Sequence, residues 1–127
     1  MTTDLQAPGS EAVIVFAHGS RDALWRQPVE AVAQRVRELQ PACSVSCAYL
    51  ELCEPDLMHA AAGLIGAGAR RLIVLPLFIG VGKHAREDLP LLLEQLTSAY
   101  PEVTITVRPA VGEDLGLIDA MARLAIG

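Results

Sequence analysis

The chain has 127 residues, 52% of them hydrophobic and only 4% aromatic, with a formal charge of −5. This length suits one domain with a mostly aliphatic core. The acidic balance argues against a nucleic-acid binder, which wants a basic footprint, and no apolar run approaches the ~20 residues of a membrane helix.

Residues 1–11 read as a loose N-terminal tail. They are polar and lack the basic start and apolar stretch of a secretory leader, so the expectation is a cytoplasmic protein whose domain covers 12–127. The first strand is predicted over 12–17, Ala-Val-Ile-Val-Phe-Ala, and runs straight into His18-Gly19-Ser20-Arg21. A helix follows, with Asp22 as its start and Trp25, Val29, Val32, Val36 and Leu39 at helical spacing. Pro28 fits only its first turn, and Pro41 stops it.

The second strand, about 44–50, alternates Val45, Cys47 and Tyr49 with Ser44, Ser46 and Ala48, and Glu51 stands at its end. Three cysteines without a tight Cys-x-x-Cys pair read as reduced packing residues. The second helix begins near Pro55, with Leu57, Ala61, Leu64 and Ile65 on one face, and the glycines at 66 and 68 end it. His59 reads as a mid-helix surface residue.

The third strand, 71–77, is apolar throughout and opens into a glycine-containing loop from Gly80 to about Glu87 that holds Lys83 and His84. Asp88 is the expected cap of the third helix, with Pro90 in its first turn and Leu89, Leu92, Leu93, Leu96 and Tyr100 as its buried stripe. A fourth strand at 103–107 alternates. A last helix carries Leu115, Ile118, Met121, Ala122 and Leu124 or Ala125.

Strands alternating with amphipathic helices predict an α/β fold with a parallel sheet. Strands buried on both faces are continuously apolar, and half-exposed ones alternate. The first and third strands are continuous and the second and fourth alternate, so the predicted order is 2-1-3-4, a flavodoxin-like arrangement with helices on both faces. Ligands bind at the carboxyl ends of such strands, where the order reverses. His18, His84 and Glu51 all follow strands at that point. Two imidazoles and a carboxylate suit a borderline divalent ion such as cobalt, iron, nickel or zinc.

Phosphate-binding motifs are missing. Gly80-Val81-Gly82-Lys83 lacks the spacing of a P-loop, and Ser20 lacks a nucleophile elbow. Leu77 to Gly82 instead continues an apolar run into glycines, an approach for a flat ligand. Arg21, Lys83 and Arg86 flank it, so a planar macrocycle with carboxylate arms suits the surface.

Three segments carry a resemblance. Ala17-His18-Gly19-Ser20-Arg21, Tyr49-Leu50-Glu51-Leu52-x-x-Pro55 and Pro76-Leu77-Phe78-x-x-x-Gly82-x-His84-x-x-x-Asp88-x-Pro90 resemble the small CbiX-type chelatases, from about residue 12 to 124. The resemblance implies ATP-independent insertion of a divalent metal into sirohydrochlorin, cobalt first and iron or nickel next, in cobalamin or siroheme biosynthesis. It implies His18 and His84 as metal-binding histidines, His18 also as proton acceptor, and Glu51 as an acidic cleft residue. Ser20, Arg21 and the stretch Phe78, Ile79, Gly80, Val81, Gly82, Lys83 would line the substrate. It further implies a homodimer and no prosthetic group, the metal being a substrate. Two other readings stay open: a non-catalytic metal or tetrapyrrole carrier with the same cleft, and a flavodoxin-like interaction domain with no metal affinity.

Overall fold

The computed structural model describes residues 10–127. Four parallel strands, β1 (Glu11–Ala17), β2 (Ser44–Tyr49), β3 (Arg71–Pro76) and β4 (Thr104–Val107), form one sheet in the order β2-β1-β3-β4. The order follows the patterning: β1 has hydrophobic neighbours on both faces, while β4 exposes Thr104 and Thr106. In register, Ala12 lies between Ser44 and Leu72, and Ala17 opposite Tyr49, so the carboxyl ends of β1 and β2 finish level.

Four helices connect or follow the strands: α1 (Ala23–Leu39), α2 (Leu57–Gly66), α3 (Lys83–Ala99) and α4 (Leu115–Ile126), with a 3-10 turn at Val111–Glu113. The odd and even residues of β1 feed two cores. Ala12, Ile14 and Phe16 meet α2 and α3 on one face, joined by Leu72, Val74 and Phe78. Val15 and Ala17 meet Val29 and Ala33 of α1 on the other, together with Tyr49. The Phe16 and Phe78 rings, both fully buried, sit 5.9 Å apart in a tilted pair.

Four expectations change. Ser10 and Glu11 do not belong to a tail: Ser10 is buried, its carbonyl accepts the Arg70 and Arg71 amides, and Glu11 opens β1 and pairs with Arg71 at 2.9 Å. The rest of the expected tail, 1–9, lies outside the described residues. In α1, Asp22 caps as expected, accepting the Leu24 amide at 2.9 Å, but Pro28 falls beyond the first turn. Trp25 and Leu39 are 40% and 63% exposed, and the core takes Val29 and Ala33. A 17-residue helix is roughly 25 Å long against about 20 Å for a six-residue strand, so its ends overhang the sheet.

The third helix starts at Lys83, not at Asp88. Gly82 caps it with extended backbone and no side-chain bond, and Pro90 lies inside. His84 therefore stands on the first turn of a helix rather than in a loop. Similarly, His59 lies in the first turn of α2, where Asp56 accepts its amide at 2.8 Å and its Nδ1 approaches the same carboxylate at 2.9 Å; its side chain is exposed, as expected.

All three cysteines are free. Burial pushes the Cys47 thiol up, and pushes the Tyr49 hydroxyl beside it up to about 12. A phenol that stays neutral longer in the folded chain than in the unfolded one stabilises the fold fully below pH 10. The contribution is lost as pH rises from 10 through 12. Comparing wild type with Tyr49→Phe, the difference in urea midpoint is expected to shift against wild type over that window. A constant difference from pH 9 to 12 would contradict the assignment.

Candidate functional site at the switch point

β1 and β3 are the central strands, and their connections leave in opposite directions across the sheet, β1 toward β2 and β3 toward β4. The crevice between their carboxyl ends is where an α/β sheet offers a site. His18 follows β1 directly. Its ring lies 4.4 Å from that of Phe78, just beyond β3, so a buried aromatic floor seats an exposed imidazole.

The loop after β2 is tied to the His18 segment by backbone. The Leu50 amide donates to the Ala17 carbonyl at 2.9 Å and the Glu51 amide to the His18 carbonyl at 3.0 Å. Leu52 follows with φ 69°, a left-handed conformation that costs a branched residue energy and turns the chain sharply after Glu51. Gly19, at φ 107°, lies against this loop so closely that a Cβ would overlap the Glu51 carbonyl oxygen. On the β3 side, the Gly112 amide donates to the Phe78 carbonyl at 3.0 Å, and a Cβ on Gly112 would overlap the Ile79 carbonyl. Two glycines thus fit the two loops to their neighbours.

One cavity of about 550 Å³ results, lined by His18, Leu50, Glu51, Gly82, Lys83, His84, Ala85 and Asp88. Of the residues expected from sequence, it brings together His18, Glu51, Gly82, Lys83 and His84. Phe78 lies beneath His18 as its ring partner rather than on the cavity wall. Ser20, Arg21, Ile79, Gly80 and Val81 stand outside this wall. Ser20 serves the chain itself: its hydroxyl accepts the Asp22 amide at 3.0 Å, and its carbonyl accepts from Arg26 at 2.9 Å. Arg21 and Ile79 are exposed nearby in sequence, Ile79 by 65%.

Asp88 is a lining residue that sequence reasoning missed. It lies four residues after His84 on α3, so both side chains share one helix face. The i, i+4 spacing was visible, but reading Asp88 as a cap hid it. An adjoining cavity of about 420 Å³ shares Leu50 and Asp88 and reaches inward past Phe16, Tyr49 and Met58. Among the described residues, no group of three or more His, Cys, Asp or Glu side chains is close enough to hold a metal ion. His18, Glu51 and His84 thus share a cavity but not one coordination sphere. Such an arrangement leaves space between the donors for a ligand.

The comparisons with known proteins agree with this geometry. The sirohydrochlorin cobaltochelatase of Methanopyrus kandleri is 35% identical over 82 residues, 65% of this chain and 57% of that protein. The chain therefore spans little more than half the length of the curated relative it matches. A solved CbiX protein of cobalamin (vitamin B12) biosynthesis from Marinobacter aquaeolei VT8 superposes with a TM-score of 0.78 at 32% identity, covering 91% of this chain and 93% of that one. The sirohydrochlorin chelatase SirB from Bacillus subtilis subspecies spizizenii, solved with cobalt, gives a TM-score of 0.76 at 25% identity over 90% of this chain, but only 49% of its own. The CbiX family profile matches residues 12–126, and with the fold and the motifs in agreement, the chain belongs to the CbiX family.

Proposed function

We propose that the protein inserts a divalent metal, cobalt first and iron next, into sirohydrochlorin without ATP, for cobalamin or siroheme synthesis. The observation that carries this reading is that His18 and His84 line one cavity, at the strand-order switch point.

The reaction takes the free macrocycle and a divalent cation to the metallated macrocycle and two protons. A neutral imidazole either holds a divalent cation or accepts a pyrrole proton, its ordinary pKa near 6.5 suiting both tasks. In this reading His18, seated on Phe78, accepts one of the two ring-nitrogen protons and the other passes to solvent water, while His84 delivers the metal, with Glu51 and Asp88 supplying negative charge along its path. Open coordination positions let the cation leave for the ring, which a closed four-ligand cage would oppose. The substrate's carboxylates meet Lys83 and the first-turn amides of α3, which no side chain caps. Arg21 and Arg86 lie further along the chain on either side.

Two copies in a homodimer would enclose the macrocycle more fully than one, in keeping with the doubled length of the SirB chain. No helix among the described residues is long and apolar enough to cross a membrane, and three free thiols suit a reducing cytoplasm.

The test uses purified protein at a tenth of the sirohydrochlorin concentration, with cobalt and no nucleotide, followed by the absorption spectrum of the macrocycle. Conversion of all the substrate well ahead of the protein-free control is expected. Conversion limited to one equivalent would instead make the protein a carrier, and a rate equal to the control would remove the activity.

A further inference from the structure

α3 contains an aspartate with no local task. Asp22, Asp56 and Asp114 cap α1, α2 and α4 with their side chains, and Asp119 pairs with Arg123. Among the described aspartates, Asp88 alone has neither a side-chain hydrogen bond nor an ion pair. It stands past the first turn of α3, where the helix dipole no longer favours a carboxylate. Aspartate is also a poor helix former at such a position. The carboxylate is therefore free for a ligand from outside the chain.

The surroundings select a cation. Asp88 follows His84 by four residues, so carboxylate and imidazole rise from one face of α3 and line the same cavity. The His84 side chain likewise has no hydrogen-bond or ion-pair partner among the described residues. Donors at i and i+4 of a helix reach one metal ion, as the two histidines of a metalloprotease helix do. The inner cavity of about 420 Å³ meets the outer one at Asp88, and Asp56 and Asp88 are its only charged lining residues. Its exposed Leu91 and Gln95 open it to solvent. That side attracts a cation and repels the carboxylates of a tetrapyrrole.

We propose that His84 and Asp88 form a two-donor loading site on α3, where the divalent cation is held before it passes to the macrocycle. This rests on the metal-insertion reading above and deepens it: Asp88 binds the ion directly instead of only lending charge to its path. Two protein donors leave the other coordination positions to water, in keeping with the absence, among the described residues, of any cluster of three or more donor side chains. A site so open gives up its ion readily, as a loading step requires, whereas four protein ligands would retain it. An imidazole beside a carboxylate suits cobalt or iron, while magnesium and calcium prefer oxygen ligands throughout.

Cobalt binding to the full chain, without macrocycle, is measured by titration calorimetry for wild type, Asp88→Asn, Asp88→Glu and Glu87→Gln. Asp88→Asn is expected to weaken binding at least about tenfold, the loss that follows even from removing an outer-shell partner of a metal. Asp88→Glu keeps a carboxylate donor and should stay within about threefold of wild type. Glu87→Gln removes the same charge one residue away, off the cavity wall, and should stay within about twofold. In the His84→Ala background, Asp88→Asn should add little, because the pair no longer shares an ion. An Asp88→Asn affinity equal to that of Glu87→Gln, or a loss undiminished in the His84→Ala background, would overturn the site. Initial rates separate this failure from failure of the insertion reading. Asp88→Asn is expected to raise KM for cobalt about tenfold and to leave KM for sirohydrochlorin unchanged, and a rise in both would overturn the loading role. A wild type that metallates sirohydrochlorin but binds no cobalt by itself removes the loading site alone. One that binds cobalt through the pair but never metallates removes the insertion reading and leaves the pair as the metal site of a carrier.

Discussion

Replacing either His18 or His84 with alanine is expected to slow metallation of sirohydrochlorin by about 10²–10⁴-fold, the range for losing a positioned proton acceptor. Both side chains are exposed in the cavity, so neither substitution opens a core void. Stability is expected to stay within about 1 kcal/mol of wild type. The two variants should differ in kind. His18→Ala removes the ring seated 4.4 Å from Phe78 and should lower the rate even at saturating metal. His84→Ala removes the proposed metal donor, and added cobalt should recover part of its rate. Initial rates across a cobalt series measure the difference. Equal behaviour of the two variants would reassign the roles, and wild-type rates in both would refute them.

The second large effect concerns the glycines that fit the loops. Gly19→Ala is expected to destabilise the fold by about 3 kcal/mol, since it combines a left-handed φ with overlap against the Glu51 carbonyl. Gly112→Ala should cost a similar amount, about 3 kcal/mol, through overlap with the Ile79 carbonyl. Backbone atoms are the obstacle in both cases, so no side chain can swing aside. Gly80→Ala is the control: a Cβ there meets open space, and the change should stay within about 1 kcal/mol. Urea denaturation midpoints measure all three. A Gly19→Ala midpoint equal to that of Gly80→Ala would contradict the close fit.

The strand order was legible because burial writes itself into sequence twice over. A strand covered on both faces, like 12–17, has no polar position to spare, while 104–107 places threonine at every second residue. Once the order is known, the convergence of His18, Glu51 and His84 follows from topology. The start of α3 was not legible. Gly82 caps by backbone conformation alone, which leaves no side-chain signal, while Asp88 and Pro90 imitate a helix start six residues too late. That error concealed Asp88 as a cavity residue and placed His84 in a loop. In the N-terminal segment, polarity suggested a tail, yet Ser10 and Glu11 are held by Arg70 and Arg71 across 60 residues of sequence. The exposure of Leu115, Leu124 and Ile126 on α4 was equally hidden, because an apolar stripe reads the same whether or not its own sheet covers it.

The central claim is that His18 and His84 act on one substrate in one cavity. A double-mutant cycle on kcat/KM for cobalt insertion, using His18→Ala, His84→Ala and the double variant, tests it most directly. Groups that serve the same event fail together, so the double variant is predicted to be little slower than the worse single variant. Losses that multiply in full would mean that the two histidines work independently, and would contradict the account.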